Sequence, residues 1–333
     1  MMERSSALER TFVSNHPRIG LPVVVSAAAT IAAGIGMAVQ STANGTLGEI
    51  LGSGVFAATV SFLVGLLLLI VVTLVAPAGR RGFARAVRAL ISREMPWWMF
   101  LGGLGGAAIV ISQALTVPLM GVAVFTMAFV SGQLVGALIV DNTDLPPGGR
   151  KHLTAPRIIG SVVVLFGVSL SAIGVIAQGV PPWAPILPLV AGVATAFQQA
   201  TNGRLKQHTR SAIAATTTNF VVGGVALAIA STIMLITGTR IAALPALPAE
   251  AWVLFGGVLG VAFIGVTTVT VAHLGVLLLS LMSLFGNLVG SLAIDLTFHS
   301  AEAEVNTTTY ISMAIVLVGV VVTTMRPTQA RGR

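Results

Sequence analysis

The side chains of this sequence that could do chemistry are mostly carboxamides. Gln40 and Asn44 stand in "VQSTANGTLG", and Gln198 and Asn202 stand in "FQQATNGRLK". The pattern Gln-x-x-x-Asn-Gly-x-Leu is thus written twice, each time at the end of an apolar run. A carboxamide donates and accepts hydrogen bonds and carries no charge. Its chemistry is recognition of polar, largely uncharged groups rather than proton transfer or nucleophilic attack. Polar groups inside such runs are costly unless they face protein, water or a solute, which makes them functional candidates. Ser61, Gln113 and Gln133 complete the set in the first half of the chain; Gln199, Asn219, Thr267, Thr268, Thr270 and Asn287 complete it in the second. The residues expected to bind a substrate are Gln40, Asn44, Ser61, Gln113, Gln133, Gln198, Asn202, Asn219 and Asn287. Two have a structural alternative, because Asn-Gly after an apolar helix is also a common C-cap. Gln133 and Asn287 could instead be interhelical glue, worth about 0.6 kcal/mol on average.

The titratable groups are few. Asp141 and Asp295 end apolar runs, where a carboxylate can stay hydrated. His273 lies between two runs and is the candidate for proton coupling, since its ordinary pKa suits that task. There is no cysteine, no His-Glu-x-x-His and no pair of carboxylates within an apolar run. No metal, cofactor or catalytic site is expected, and an enzyme acting on lipid-linked substrates is disfavoured for the same reason.

The elements that position these residues follow from composition. Of 333 residues 55% are hydrophobic and only 8% charged, with a mean hydropathy of +0.97. So few charges cannot cover a surface facing water, so the solvent is lipid. Ten runs are long enough to cross a bilayer: 19–43, 54–76, 97–116, 119–140, 157–177, 183–202, 212–237, 252–271, 274–294 and 308–325. They are continuously apolar, which favours helices over a barrel. The first is too long for the core of a signal peptide and has a partner, the sixth, that cannot be one. The net charge of +8 is not a nucleic-acid signal, because the basic residues are interspersed with apolar spans. With the N-terminus inside, every Lys and Arg except Arg240 falls in a cytoplasmic segment. That bias places both termini in the cytoplasm of a multi-pass inner-membrane protein. Trp97, Trp98, Trp183 and Trp252 open spans, as interface anchors do. The basic loop 77–96 carries Phe83, Val87, Leu90 and Ile91 on one helical face and Arg81, Arg85 and Arg88 on another. It reads as an amphipathic helix on anionic headgroups.

The two halves align. At an offset of 158, Ala33, Gly34, Ala38, Gln40, Asn44, Gly45 and Leu47 meet Ala191, Gly192, Ala196, Gln198, Asn202, Gly203 and Leu205. Ser61-Phe62 and Gly65 meet Asn219-Phe220 and Gly223. At an offset of 154, "GQLVGALIVD" (132–141) meets "GNLVGSLAID" (286–295). The G-x-x-x-G steps Gly102/Gly106, Gly132/Gly136, Gly256/Gly260 and Gly286/Gly290 predict close helix packing. Five spans per half is an odd number, so the second half enters from the opposite side. The expected architecture is an all-α polytopic protein with ten transmembrane helices in a 5+5 inverted repeat. Its segments are a cytoplasmic piece 1–18, repeats 19–177 and 183–325, and a tail 326–333. Two oppositely inserted modules are the physical basis of alternating access.

Five spans per unit, Gln-x-x-x-Asn-Gly-x-Leu ending the first span and "GQLxGxLxxD" ending the fourth resemble the drug/metabolite transporter superfamily, in its YdcZ-like branch. The chain looks like a fused pair of such units. The resemblance implies a cavity ringed by spans 1–4 and 6–9, with spans 5 and 10 as peripheral scaffold. The expected function is secondary transport of a small, mostly neutral or amphiphilic solute, with the lipid bilayer as the other partner. A lipid flippase or an accessory subunit of a membrane assembly is the alternative.

Overall fold

The computed structural model describes residues 21–150, 153–298 and 307–325. The segments expected at 1–18 and 326–333, and the side chain of Asp295, lie outside the described residues. Nine α-helices are described: α1 (Leu21–Leu51), α2 (Gly54–Val75), α3 (Pro77–Ile91), α4 (Gly102–Asp141), α5 (Ala155–Ala177), α6 (Trp183–Thr209), α7 (Ala212–Ile236), α8 (Phe255–Phe298) and α9 (Thr307–Thr324). Among the described residues, six helical segments are long and apolar enough to cross a membrane: Leu21–Leu51, Gly54–Val75, Trp97–Asp141, Ala155–Gly174, Ala212–Ile236 and Ala251–Ile294. Their outer faces are apolar, with Leu63, Leu67, Val71 and Leu74 of α2 and Val225, Ile229 and Ile233 of α7 all exposed.

The 40-residue α4 would be about 60 Å long if straight, twice the thickness of a hydrocarbon core. It is not straight. Gly121 has φ 75° and ψ 167°, and Gly275 in α8 has φ 73° and ψ 170°. Only glycine adopts that region readily. The contacts on either side of each break fix the direction of the arms. In the first arm of α4, Gly102 faces Thr201 and Asn202 of α6, and Gly105 faces Ala194. In the second arm, Gly132 faces Leu189 and Gly136 faces Val193. One arm therefore runs against α6 and the other along it, both flanking the same stretch. Helix α8 treats α1 likewise: Gly256 and Gly260 face Asn44 and Gln40, while Gly286 and Gly290 face Ile31 and Ile35. Each long helix is a hairpin folded at one glycine.

Close approach makes these pairings. A Cβ on Gly192 would lie 1.9 Å from the Phe129 carbonyl oxygen, and one on Gly34 would lie 2.2 Å from that of Ser283. Positions 192 and 34 correspond by the 158 offset, and 129 and 283 by the 154 offset. Contacts between α2 and α7 are reciprocal in the same way. Thr59 Oγ1 meets Ser231 Oγ at 2.7 Å, and Thr73 Oγ1 meets Thr217 Oγ1 at 2.8 Å. Ser53 caps the N-terminus of α2 and Ser211 that of α7, each accepting a backbone N–H three residues on. Helices α5 and α9 pack chiefly on each other.

Two expectations are corrected. Asn44-Gly45 and Asn202-Gly203 do not end their helices, which run on to Leu51 and Thr209. The left-handed residues that stop them are Gly52 (φ 67°) and Arg210 (φ 54°). The glycine after each Asn serves packing instead: Gly45 sits on Val117 and Gly203 on Val271, again a matched pair. Asp141 is not hydrated but completely buried. Its carboxylate accepts the Arg157 guanidinium at 2.7 Å and the backbone N–H groups of Val276 and Leu277 at 3.3 and 3.2 Å. Those N–H groups begin the second arm of α8, where the break at Gly275 leaves donors without helical partners.

Candidate functional site

The carboxamides gather in two clusters. In the first, Asn44 Nδ2 donates to Gln113 Oε1 at 2.7 Å, and Gln113 Nε2 donates to Ser41 Oγ at 3.0 Å. In the second, Gln198 Nε2 donates to Asn219 Oδ1 at 3.1 Å, and Asn219 Nδ2 donates to Asn202 Oδ1 at 3.3 Å. Glycines of the facing arms let these groups approach. Gly256 and Gly260 overlie Asn44 and Gln40, while Gly102 and Gly106 overlie Asn202 and Gln198. A methyl group on Gly256 would fall 2.4 Å from Asn44 Oδ1, an oxygen that is buried and has no protein donor.

Between α1, α2, α4, α7 and α8 lies a cleft of about 330 Å³, including its open mouth. Its polar side chains are Gln40 and Ser61; Met37, Phe62, Phe220 and Phe263 supply much of the apolar wall. Phe62 and Phe220, which correspond in the two halves, meet with ring centroids 4.8 Å apart and planes tilted by 31°. Gln40 forms no side-chain hydrogen bond with any of the described residues, whereas its counterpart Gln198 is tied to Asn219. No ionisable side chain lines the cleft. Such a surface can hold an apolar body against the rings and glycines while a carboxamide and a hydroxyl meet one polar edge.

The other expected residues lie elsewhere. Gln133 is fully buried on the second arm of α4, and neither of its amide atoms has a protein partner. Asn287 Oδ1 is 3.5 Å from Thr126 Oγ1, which also meets Ser291 at 3.0 Å. Gln199 is buried with both amide atoms unpartnered. Thr267 and Thr270 bond back to carbonyls of their own helix. Thr268 is buried without a hydroxyl partner. His273 is exposed two residues before the α8 break, with Nδ1 3.3 Å from Ser26 Oγ, and does not line the cleft. Sequence reasoning missed Ser41, Arg157 and the Phe62–Phe220 pair. The pair was in view as a matched Phe in the alignment, but nothing in the sequence says that the two rings touch. Among the described residues no group of three metal-ligating side chains occurs.

These features define a multi-pass helical membrane protein with a cleft lined by groups that recognise rather than react. The chain belongs to the family described as "Putative inner membrane exporter, YdcZ", which matches residues 25–170 and, separately, 183–322. It is therefore an inner-membrane, multi-pass member of the drug/metabolite transporters, and each of its halves is one family unit. No curated protein matches it. A crystal structure described only as that of a protein is similar over 91% of this chain and 96% of its own, at 16% identity and a TM-score of 0.53. That likeness is one of fold alone.

Proposed function

We propose that this protein is a secondary transporter with ten transmembrane helices in a 5+5 inverted repeat. By alternating access it moves a small, mostly neutral or amphiphilic solute out of the cytoplasm. With the arms of α4 and α8 counted separately, the six apolar segments become eight; α6 and α9, the counterparts of α1 and α5, complete the proposed ten, and an even number agrees with two cytoplasmic termini. The matched contacts support modules 19–177 and 183–325 related by a two-fold axis in the membrane plane. The outward direction follows the description of the family. Gln40 and Ser61 contact the solute, and Asn44, Gln113, Gln198, Asn202 and Asn219 hold the surrounding helices in register.

The observation that carries this reading is Gln40, a buried carboxamide open to the cleft and without a protein partner. Counterflow in proteoliposomes against a panel of neutral and charged solutes tests it. For a transported neutral solute, Gln40→Ala raises KM about three- to tenfold, the worth of one lost hydrogen bond. Unchanged transport in both Gln40→Ala and Ser61→Ala would sink the proposal.

A further inference from the structure

We infer that α3 is a binding surface for anionic phospholipid headgroups, clamped to the turn between α6 and α7. Helix α3 starts one residue after α2 ends, so it leaves the lipid-facing end of a spanning helix directly at the membrane surface. Its circumference divides into three faces. Gly79, Gly82, Ala86 and Ala89 are buried. Gly82 sits on Ser211 and Ala214, and Gly79 on Ile213. A second flank presents Val87, Leu90 and Ile91, exposed to 42%, 44% and 76%. The third presents Arg81, Arg85 and Arg88; Arg80 projects from the apolar flank between Val87 and Ile91, where its long side chain reaches back to the Leu74 carbonyl at the end of α2. At 100° per residue the apolar and basic flanks lie roughly a third of a turn apart. A helix lying in the interface needs that arrangement: hydrocarbon beneath the apolar flank, headgroups against the arginines, protein behind the small residues.

The charge is uncompensated within the protein. Helix α3 contains no acidic residue, and its guanidinium groups meet no carboxylate among the described residues. The nearest acid in sequence, Glu94, is engaged by Ser92 and His208. Arg85 donates to the Thr209 carbonyl at 2.7 Å, at the C-terminus of α6. A lipid held by Arg80, Arg81 and Arg88 therefore bears on the helix that braces the α6–α7 turn. This surface stands apart from the cleft, and its chemistry is that of a phosphate diester on a bilayer.

The test uses the full chain with Trp183→Phe and Trp252→Phe, so that fluorescence reports from Trp97 and Trp98, six and seven residues after α3 ends. Quenching by brominated phosphatidylglycerol and by brominated phosphatidylcholine is compared in otherwise identical bilayers. A favourable contact of one arginine with an anionic surface corresponds to about fivefold in association. We expect phosphatidylglycerol to be enriched about fivefold or more at these tryptophans, and raised salt to lower the enrichment. The variant Arg80→Gln/Arg81→Gln/Arg88→Gln, whose substituted side chains are all exposed, loses it. Equal quenching by the two lipids, or enrichment kept in the triple variant, overturns the inference. So does displacement by inorganic phosphate beyond that by chloride at equal ionic strength, which would mark a site for a soluble anion. Should the triple variant fail to fold, the lipid comparison and its salt dependence in the unsubstituted arginine background decide alone.

Discussion

Replacing Asp141 is the sharpest test of how the two halves are joined. Its carboxylate is wholly buried, and Arg157 is 9% exposed, so their 2.7 Å ion pair is shielded from solvent. Asp141→Ala removes the carboxylate that pairs with the guanidinium, and breaking a buried ion pair from one side typically costs about 3–5 kcal/mol. It also uncaps Val276 and Leu277 at the start of the second arm of α8, a loss of about 0.5–2 kcal/mol by comparison with helix N-caps. The two losses share one carboxylate and do not simply add, so we expect about 4 kcal/mol in total. Asp141→Asn removes the same negative charge but keeps an uncharged acceptor for one N–H, so we expect about 3 kcal/mol, roughly 1 kcal/mol less than for Asp141→Ala. Reversible unfolding in mixed micelles of mild detergent and dodecyl sulfate, followed by tryptophan fluorescence, measures all of these. The double variant Asp141→Ala/Arg157→Ala should fall short of the sum of the singles by about 1–3 kcal/mol, because each single already breaks the same ion pair. If Asp141→Ala lies within about 1 kcal/mol of the parent, or the two singles add, the carboxylate is not the joint described here.

Two further outcomes are expected. Gly121→Ala and Gly275→Ala each place a Cβ in a backbone region that only glycine adopts readily, and each should destabilise by about 1–3 kcal/mol in the same unfolding assay. A cysteine at exposed Ala84, on the basic helix, should resist an impermeant maleimide in intact cells and react after permeabilisation; labelling in intact cells would reverse the proposed orientation.

The apolar spans, the duplication and the matched carboxamides were all legible in the sequence, because each is a local pattern or a repeat of one. What escaped it depended on partners far along the chain. The runs expected to end at 116 and 271 and to resume at 119 and 274 reverse a few residues later, at Gly121 and Gly275. His273 stands two residues before the second reversal and Pro118 three before the first, but a single glycine makes each turn inside apolar sequence. Asn-Gly looked like a helix end because glycine usually supplies a left-handed residue there; Gly45 is needed against Val117 instead. Asp141 looked hydrated because its position at a span end is visible, while its N–H donors lie 135 and 136 residues away. Arg157, tallied as one more cytoplasmic charge, is spent on that carboxylate.

The departures from symmetry are as informative as the symmetry. Asn44 and Asn202 correspond, yet Asn44 bonds across to Gln113 of α4 while Asn202 bonds to Asn219 of α7. The cause lies in two substitutions between the halves: Gln113 faces Thr267 in the alignment, and Ser61 faces Asn219. Serine is too short to hold Gln40 as Asn219 holds Gln198, so one glutamine is left free and the other is tied. The cleft accordingly opens beside Gln40 and Ser61. Under the proposed cycle the halves exchange shapes, and the bond between Gln198 and Asn219 is then one that the exchange must break. Amide bonds inside a membrane are worth about 0.6 kcal/mol on average, small enough for a bound solute to repay. A charged pair in that position would lock the cycle, which is consistent with the buried charges among the described residues, Asp141 and Arg157, standing at the α8 joint and not in the cleft.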